Sequence, residues 1–226
     1  SLIWDKKGKG NDFLGFLDLP DVEESELDKI IACADRIAET SDTFITLGIG
    51  GSYLGSKALT DAINSTYYNE LPRSKRNNRP KIYFEGNNLD SDSINDLFDI
   101  LPENNTGKPE DSFSMAVISK SGTTIETAVS FRLFQEKAKE FYGENHNKYV
   151  VAITPVGLLP AAVVGIDIKK LVAGAKYMKE LCSNPNLKEN PAYMYAVIQH
   201  LLEKKGRTIS VMASWTKSLE NLGFWY

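Results

Sequence analysis

From Val22 to Thr40 the apolar residues Leu27, Ile30, Ile31, Ala34, Ile37 and Ala38 recur every three or four positions, which predicts an amphipathic helix. Phe44-Ile45-Thr46-Leu47-Gly48-Ile49 is a short, almost unbroken apolar run and reads as a buried strand. Gly50-Gly51-Ser52 breaks it, and helical spacing resumes from Leu54 to Ile63. The same alternation continues downstream. Strands are predicted at Lys81–Phe84, Phe113–Ser119 and Tyr149–Thr154, with helices over Ser91–Leu101 and Gly122–Phe141. Ser91 is a good helix-opening residue, and the polar, turn-rich stretch Pro102–Ser112 reads as a surface loop. After Pro155 the pattern turns mostly helical, over Val156–Ile166, Lys169–Cys182 and Ala192–Lys205, with a last strand predicted at Thr208–Ala213.

Strand, turn and helix repeated at these lengths require crossover connections, hence a parallel sheet covered on both faces. Composition agrees with a folded α/β chain. Of 226 residues, 42% are hydrophobic and 25% charged, which excludes disorder and collagen-like structure. The net charge of −4 lacks the basic footprint of a general nucleic-acid binder. The apolar run Val156–Ile166 contains Pro160 and two glycines and is too short to span a bilayer, so no membrane partner is expected. No charged-then-apolar signal segment opens the chain. Cys33 and Cys182 are the only cysteines, without metal-ligand spacing around either, so a cytoplasmic setting is expected.

Two strand-to-helix turns carry the chemistry. The first is Gly48-Ile49-Gly50-Gly51-Ser52-Tyr53-Leu54-Gly55. Glycines there let the backbone approach a ligand, and a helix N-terminus offers N–H groups to an anion. A dinucleotide fingerprint fails because Tyr53 stands where glycine is needed, and a P-loop fails because Ser56 replaces lysine. A tight turn without a ligand is the bland alternative. The second turn is Ser119-Lys120-Ser121-Gly122-Thr123-Thr124, with four hydroxyls and an ammonium group in six residues. A phosphate monoester takes many converging donors, best at a positive helix end. The alternative here is a capping box formed by Thr123 and Glu126, which leaves the other hydroxyls unexplained. Both turns follow strands, and ligands of doubly wound sheets lie at the carboxyl ends of strands. One phosphorylated small molecule held by both turns is the expectation.

Leu47–Gly55 together with Val117-Ile-Ser-Lys-Ser-Gly-Thr-Thr-Ile-Glu126 resembles the bacterial-type glucose-6-phosphate isomerase family. Asp12-Phe-Leu-Gly-Phe-Leu-Asp-Leu-Pro20, Glu85-Gly-Asn-Asn88, Val156-Gly-Leu-Leu-Pro160 and Asn190-Pro-Ala-Tyr193 extend the resemblance along nearly the whole chain. It implies a three-layer α/β/α sandwich with a doubly wound, mainly parallel sheet, the sugar isomerase (SIS) domain. The implied limits are an N-terminal segment and helix at 1–40, a first SIS domain at 41–168, and linking helices with the incomplete start of a second at 169–226. The implied activity is aldose–ketose isomerisation of glucose 6-phosphate and fructose 6-phosphate, in glycolysis and gluconeogenesis, with no cofactor or metal. Carried over by motif, Ser52, Ser119, Lys120, Ser121 and Thr124 hold the sugar phosphate, with Gly51 offering backbone. A homodimer whose active sites draw on both subunits is also implied.

The family's catalytic glutamate lies in a Glu-Ser-x-Gly-Lys motif beyond a Trp-rich helix, and its catalytic His and Lys lie later still. None has a counterpart in these 226 residues, so no catalytic residue is assigned. Glu220, His146 and His200 do not match, and both histidines read as structural or surface residues. The family also carries a segment with a Gly-Gly-Arg loop where Thr154 here adjoins Pro155, so that junction is expected to close over absent chain. With Ser1 in place of Met and Phe224-Trp225-Tyr226 at the far end, the chain reads as part of a longer protein. As it stands, a phosphate cradle without a base also describes the alternative reading, a non-catalytic sugar-phosphate-binding regulatory module.

Overall fold

The structure is a computed structural model and describes residues 4–7, 10–120, 122–153, 158–213 and 216–220. The chain forms two compact units, Asp28–Ile166 with Ser214–Tyr226, and Ser1–Leu27 with Asp167–Ala213.

The first of these units holds four strands: β1 (Thr43–Leu47), β2 (Lys81–Glu85), β3 (Phe113–Ile118) and β4 (Val150–Ile153). All pairings are parallel, in the order β2-β1-β3-β4. The helix α1 (Glu24–Thr40) precedes β1, and α2 (Gly51–Ile63), α3 (Ser91–Asp99) and α4 (Ile125–Tyr142) form the crossovers. Ile45, Leu47, Phe113 and Met115 pack with Ile94 and Leu97 of α3 and Phe134 and Ala138 of α4, so these two helices share one face. The β1-to-β2 connection runs in the opposite direction, and right-handed crossover places α2 on the other face. There α2 packs against α5 (Leu158–Val163). The expected three-layer, doubly wound parallel sheet is present. Double burial explains its strands: every residue of β1 is buried, so nothing selects for alternation.

Local details differ from the sequence reading in instructive ways. Asp90, not Ser91, caps α3, accepting from the Asp92 and Ser93 amides at 3.0 and 3.3 Å. Tyr142 ends α4 with its hydroxyl bonded to both N–H and C=O of Phe113, at 2.7 Å each. The long β1-to-β2 connection is fastened by Arg76, 2% exposed, which donates to both Asp42 oxygens at 3.0 and 2.7 Å. Arg73 donates to the same carboxylate at 2.6 Å. Asn69 bonds the N–H and C=O of Ile82 at 2.9 and 2.7 Å, covering part of the exposed edge of β2. Thr154 and Pro155, where the missing segment was expected, lie outside the described residues.

The other unit holds α6 (Ile168–Ser183) and α7 (Pro191–Lys204). Fully buried Asn190 caps α7 at the Tyr193 amide and donates to the Cys182 and Asn184 carbonyls, fixing the interhelical turn. The N-terminal segment is tied to α6 through the Trp4 indole on the Cys182 carbonyl and the Asp21–Lys179 ion pair. The strand expected at Thr208–Ala213 does not form. Ile209 and Val211 are 85% and 81% exposed. Among the described residues this unit contains no strand for the segment to pair with, and an alternating pattern without a neighbour gains nothing from extension.

Candidate functional site

Strand β1 ends at Leu47, which lies in register with Val117 of β3. The two turns therefore leave adjacent strands at the same level, about 4.8 Å apart in the sheet. From β1 the chain goes outward to β2, and from β3 it goes the opposite way to β4. That divergence is the topological switch point, where open α/β sheets present a crevice at their carboxyl edge.

The glycine-rich turn is shaped by glycines other than the one emphasised in the sequence. Gly50 is the N-cap of α2 with φ 56° and ψ −124°, a conformation open to glycine. Gly48 sits so close that an added Cβ would lie 3.0 Å from the Ser52 carbonyl oxygen. Gly51 is exposed, its φ is not left-handed, and an added Cβ would meet nothing within 4 Å. The Ser52 amide donates to Ile49 O at 3.1 Å, and those of Tyr53 and Leu54 to Gly50 O at 3.0 and 2.8 Å. Ser52 stands half-buried in the first turn of α2. Tyr53 packs edge-on to Phe84, and its phenol is pushed up by burial and then by the charges of Asp61 and Glu85, so it stays protonated at neutral pH.

The neighbouring β2 edge contributes a brace that the sequence reading did not identify. Buried Glu85 accepts from Ser93 Oγ and from the Gly86 amide, while its carbonyl accepts the Gly48 amide at 2.9 Å. Gly86, at φ 81°, lies so near that an added Cβ would stand 3.1 Å from Gly48 N. The available signal was a carboxylate closing an apolar strand just before Gly-Asn-Asn.

In the serine-rich turn, half-buried Ser119 accepts the Gly122 amide on Oγ at 3.0 Å, with Gly122 at φ 70°. Ser121 lies outside the described residues. The N-cap of α4 is Thr124, and its side chain makes no capping hydrogen bond. The Thr123–Glu126 capping box is therefore not the geometry adopted: with Thr124 as N-cap, Glu126 falls one position short of the box residue. Glu126 instead sits as a carboxylate in the first turn, where it complements the helix dipole. Lys120 is exposed and, among the described residues, pairs with no carboxylate.

Two helix N-termini thus follow the adjacent strand ends, with Ser52 in the first turn of α2, Thr124 at the N-cap of α4 and Lys120 in the turn before it. That arrangement is suited to an anion with several acceptor oxygens. The remaining candidates lie elsewhere. His146 is half-buried with Nδ1 3.0 Å from Gly143 O, His200 is exposed on α7, and Glu220 is exposed. Among the described residues no cluster of His, Cys, Asp or Glu could hold a metal, and no helix is long and apolar enough to cross a membrane.

No protein-family model matches the chain. Individual proteins do. The glucose-6-phosphate isomerase of Acetivibrio thermocellus is 38% identical over 260 residues, covering 100% of this chain and 56% of that protein. The glucose-6-phosphate isomerases of Bacillus cereus (strain AH187) and Alkaliphilus metalliredigens are 36% and 34% identical with the same 56% coverage. The aligned span of 260 residues exceeds the chain's 226, so the relative carries residues within it that have no counterpart here. A solved structure of a hypothetical protein from Thermus thermophilus superposes with a TM-score of 0.75 at 24% identity, covering 99% of this chain and 56% of that one. This likeness bears on the fold. From end to end the chain is a relative of the glucose-6-phosphate isomerases, and it spans about half of their length.

Proposed function

We propose that the chain carries the sugar-phosphate-binding part of an aldose–ketose isomerase that interconverts glucose 6-phosphate and fructose 6-phosphate. The observation that supports this reading is that the two turns leave the adjacent parallel strands β1 and β3 in register at the topological switch point, each leading into a helix. The substrate phosphate sits between them. Ser52, Ser119, Ser121 and Thr124 donate hydroxyl hydrogens, Lys120 supplies positive charge, and the Gly51 backbone lies open to close approach. Residues 41–168 form this sugar-phosphate domain.

The isomerisation is an internal redox exchange. A carboxylate base removes the proton on C2 of the open-chain aldose while O1 gains a proton, giving an enediol. The base returns its proton to C1 as O2 gives up its own, so C2 is oxidised, C1 is reduced and no external electron carrier takes part. The phosphate grip, remote from these carbons, supplies binding energy that places them against the base. The chain holds no matched base, so the 226 residues bind substrate without turning it over. The complete protein acts as a cytoplasmic homodimer.

Mixing the 226-residue chain with fructose 6-phosphate tests both halves of the reading. Saturable binding by calorimetry, with no glucose 6-phosphate formed, is the expected result. Turnover would overturn the assignment of the base to a part of the protein outside these residues, and absence of binding would overturn the phosphate site.

A further inference from the structure

Strand β2 ends at Glu85, in register with Leu47 at the end of β1, so Glu85 stands one strand away from the start of the glycine-rich turn. Residues opposite each other in register share a face of the sheet, and Leu47 packs on the face covered by α3. Glu85 is buried, and among the described residues no lysine or arginine pairs with it. A buried carboxylate without a cation is costly unless hydrogen bonds hold it. Two do: Ser93 Oγ donates to Oε1, and the Gly86 amide donates to Oε2 at 3.3 Å. Capping of α3 does not account for them, because Asp90 already accepts the Asp92 and Ser93 amides.

The carboxylate is one link in a short series of contacts that ends at Ser52. Ser93 lies in the first turn of α3, which is anchored in the core through Ile94 and Leu97. From Ser93 the series passes through the Glu85 carboxylate to the Gly86 amide. Gly86, at φ 81°, stands so near Gly48 that an added Cβ would lie 3.1 Å from Gly48 N, and that amide donates to Glu85 O at 2.9 Å. Gly48 in turn leaves only 3.0 Å between an added Cβ and the Ser52 carbonyl oxygen. Backbone packed this closely has no slack, so a displacement at Gly86 is passed to Gly48 and on to Ser52.

We propose that Glu85 is a positioning residue for phosphate binding: through Ser93 and the Gly86 amide its carboxylate holds the end of β2 against Gly48, and so fixes the turn that presents Ser52. This rests on the reading of that turn as half of a sugar-phosphate site. Glu85 itself touches no substrate. Its geometry matters and its charge does not, which sets it apart from the donors of the two turns. Glutamine in its place keeps both bonds, since the amide oxygen accepts the Gly86 N–H and the amide NH2 donates to Ser93 Oγ. Alanine keeps neither.

The test compares Glu85→Ala, Glu85→Gln and Ser93→Ala with the parent 226-residue chain, by calorimetric titration with fructose 6-phosphate and by hydrogen exchange of the Gly48 amide without ligand. Glu85→Ala should bind about tenfold more weakly, the worth of one hydrogen bond to a charged group, and its Gly48 amide should exchange faster. Glu85→Gln should bind and exchange as the parent does. Ser93→Ala keeps the carboxylate and its Gly86 bond, so it serves if Glu85→Ala does not fold, and it should weaken binding about threefold or more. Unchanged affinity in Glu85→Ala and Ser93→Ala, unchanged Gly48 exchange in Glu85→Ala, or a Glu85→Gln variant as weak as Glu85→Ala would overturn the proposal and leave the phosphate site standing. A parent chain that does not bind fructose 6-phosphate would overturn the site, and this proposal with it.

Discussion

Replacing Gly51 with valine separates folding from binding at the first turn of α2. The backbone there is not left-handed, and an added Cβ meets nothing within 4 Å, so the side chain enters open space. Valine is a better helix former than glycine by roughly 0.4 kcal/mol. For a chain of this size 1 kcal/mol moves the thermal midpoint about 2–4 °C, so the midpoint should stay level or rise by about 1 °C. Binding should suffer, because the same open space is where the phosphate approaches the helix N-terminus. Loss of one hydrogen bond to a charged oxygen is worth about 1.5–3 kcal/mol, or roughly a 10- to 150-fold weaker affinity. Gly50→Ala is the contrasting variant. Its φ of 56° and ψ of −124° make a side chain strained, at about 1–3 kcal/mol, so the midpoint should fall by several degrees. Calorimetric titration with fructose 6-phosphate and a thermal melt read the two effects separately. The reasoning is refuted if Gly51→Val binds like the parent chain, or if its midpoint collapses.

Three further outcomes are expected. Ser119→Ala with Thr124→Ala should weaken fructose 6-phosphate binding at least tenfold but cost only about 1 kcal/mol of stability in urea. Ser119 loses one bond to Gly122, and Thr124 has no capping bond to lose. Arg76→Met should lower urea stability by about 3 kcal/mol, because it breaks a buried pair and leaves Asp42 with Arg73 alone; a loss under 1 kcal/mol would contradict this. Burial raises the phenols of Tyr68, to about 12, and of Tyr142 above the unfolded value near 10. Their contribution is complete below pH 10 and is lost as pH rises toward 12, so unfolding by base should begin above pH 10 and be less steep in Tyr142→Phe.

The sheet was legible because buried parallel strands leave an unmistakable pattern: Phe44–Leu47 and Phe113–Ile118 are short apolar runs bounded by turn residues. Strand order was not in that pattern, since periodicity records which residues are buried and not which strands are neighbours. Thr208–Ala213 misled for the same reason, its alternation being genuine but without a pairing partner. At the site, the two turns were readable from composition alone. The roles of individual glycines were not, because the strained backbone belongs to Gly50 and the close packing to Gly48, while Gly51 faces open space. The Glu85–Ser93 brace joins two elements across a turn, and Asn69 meets the Ile82 backbone only after the loop folds back on β2. Neither juxtaposition is written in local sequence.

The central claim is that the turns after β1 and β3 form one site for one sugar phosphate. The most direct measurement is an amide NMR titration of the 226-residue chain with fructose 6-phosphate, following Gly51, Ser52, Gly122 and Thr124. All four should shift saturably along curves that give a single dissociation constant. Shifts confined to one turn, or distinct constants for the two, would contradict the claim.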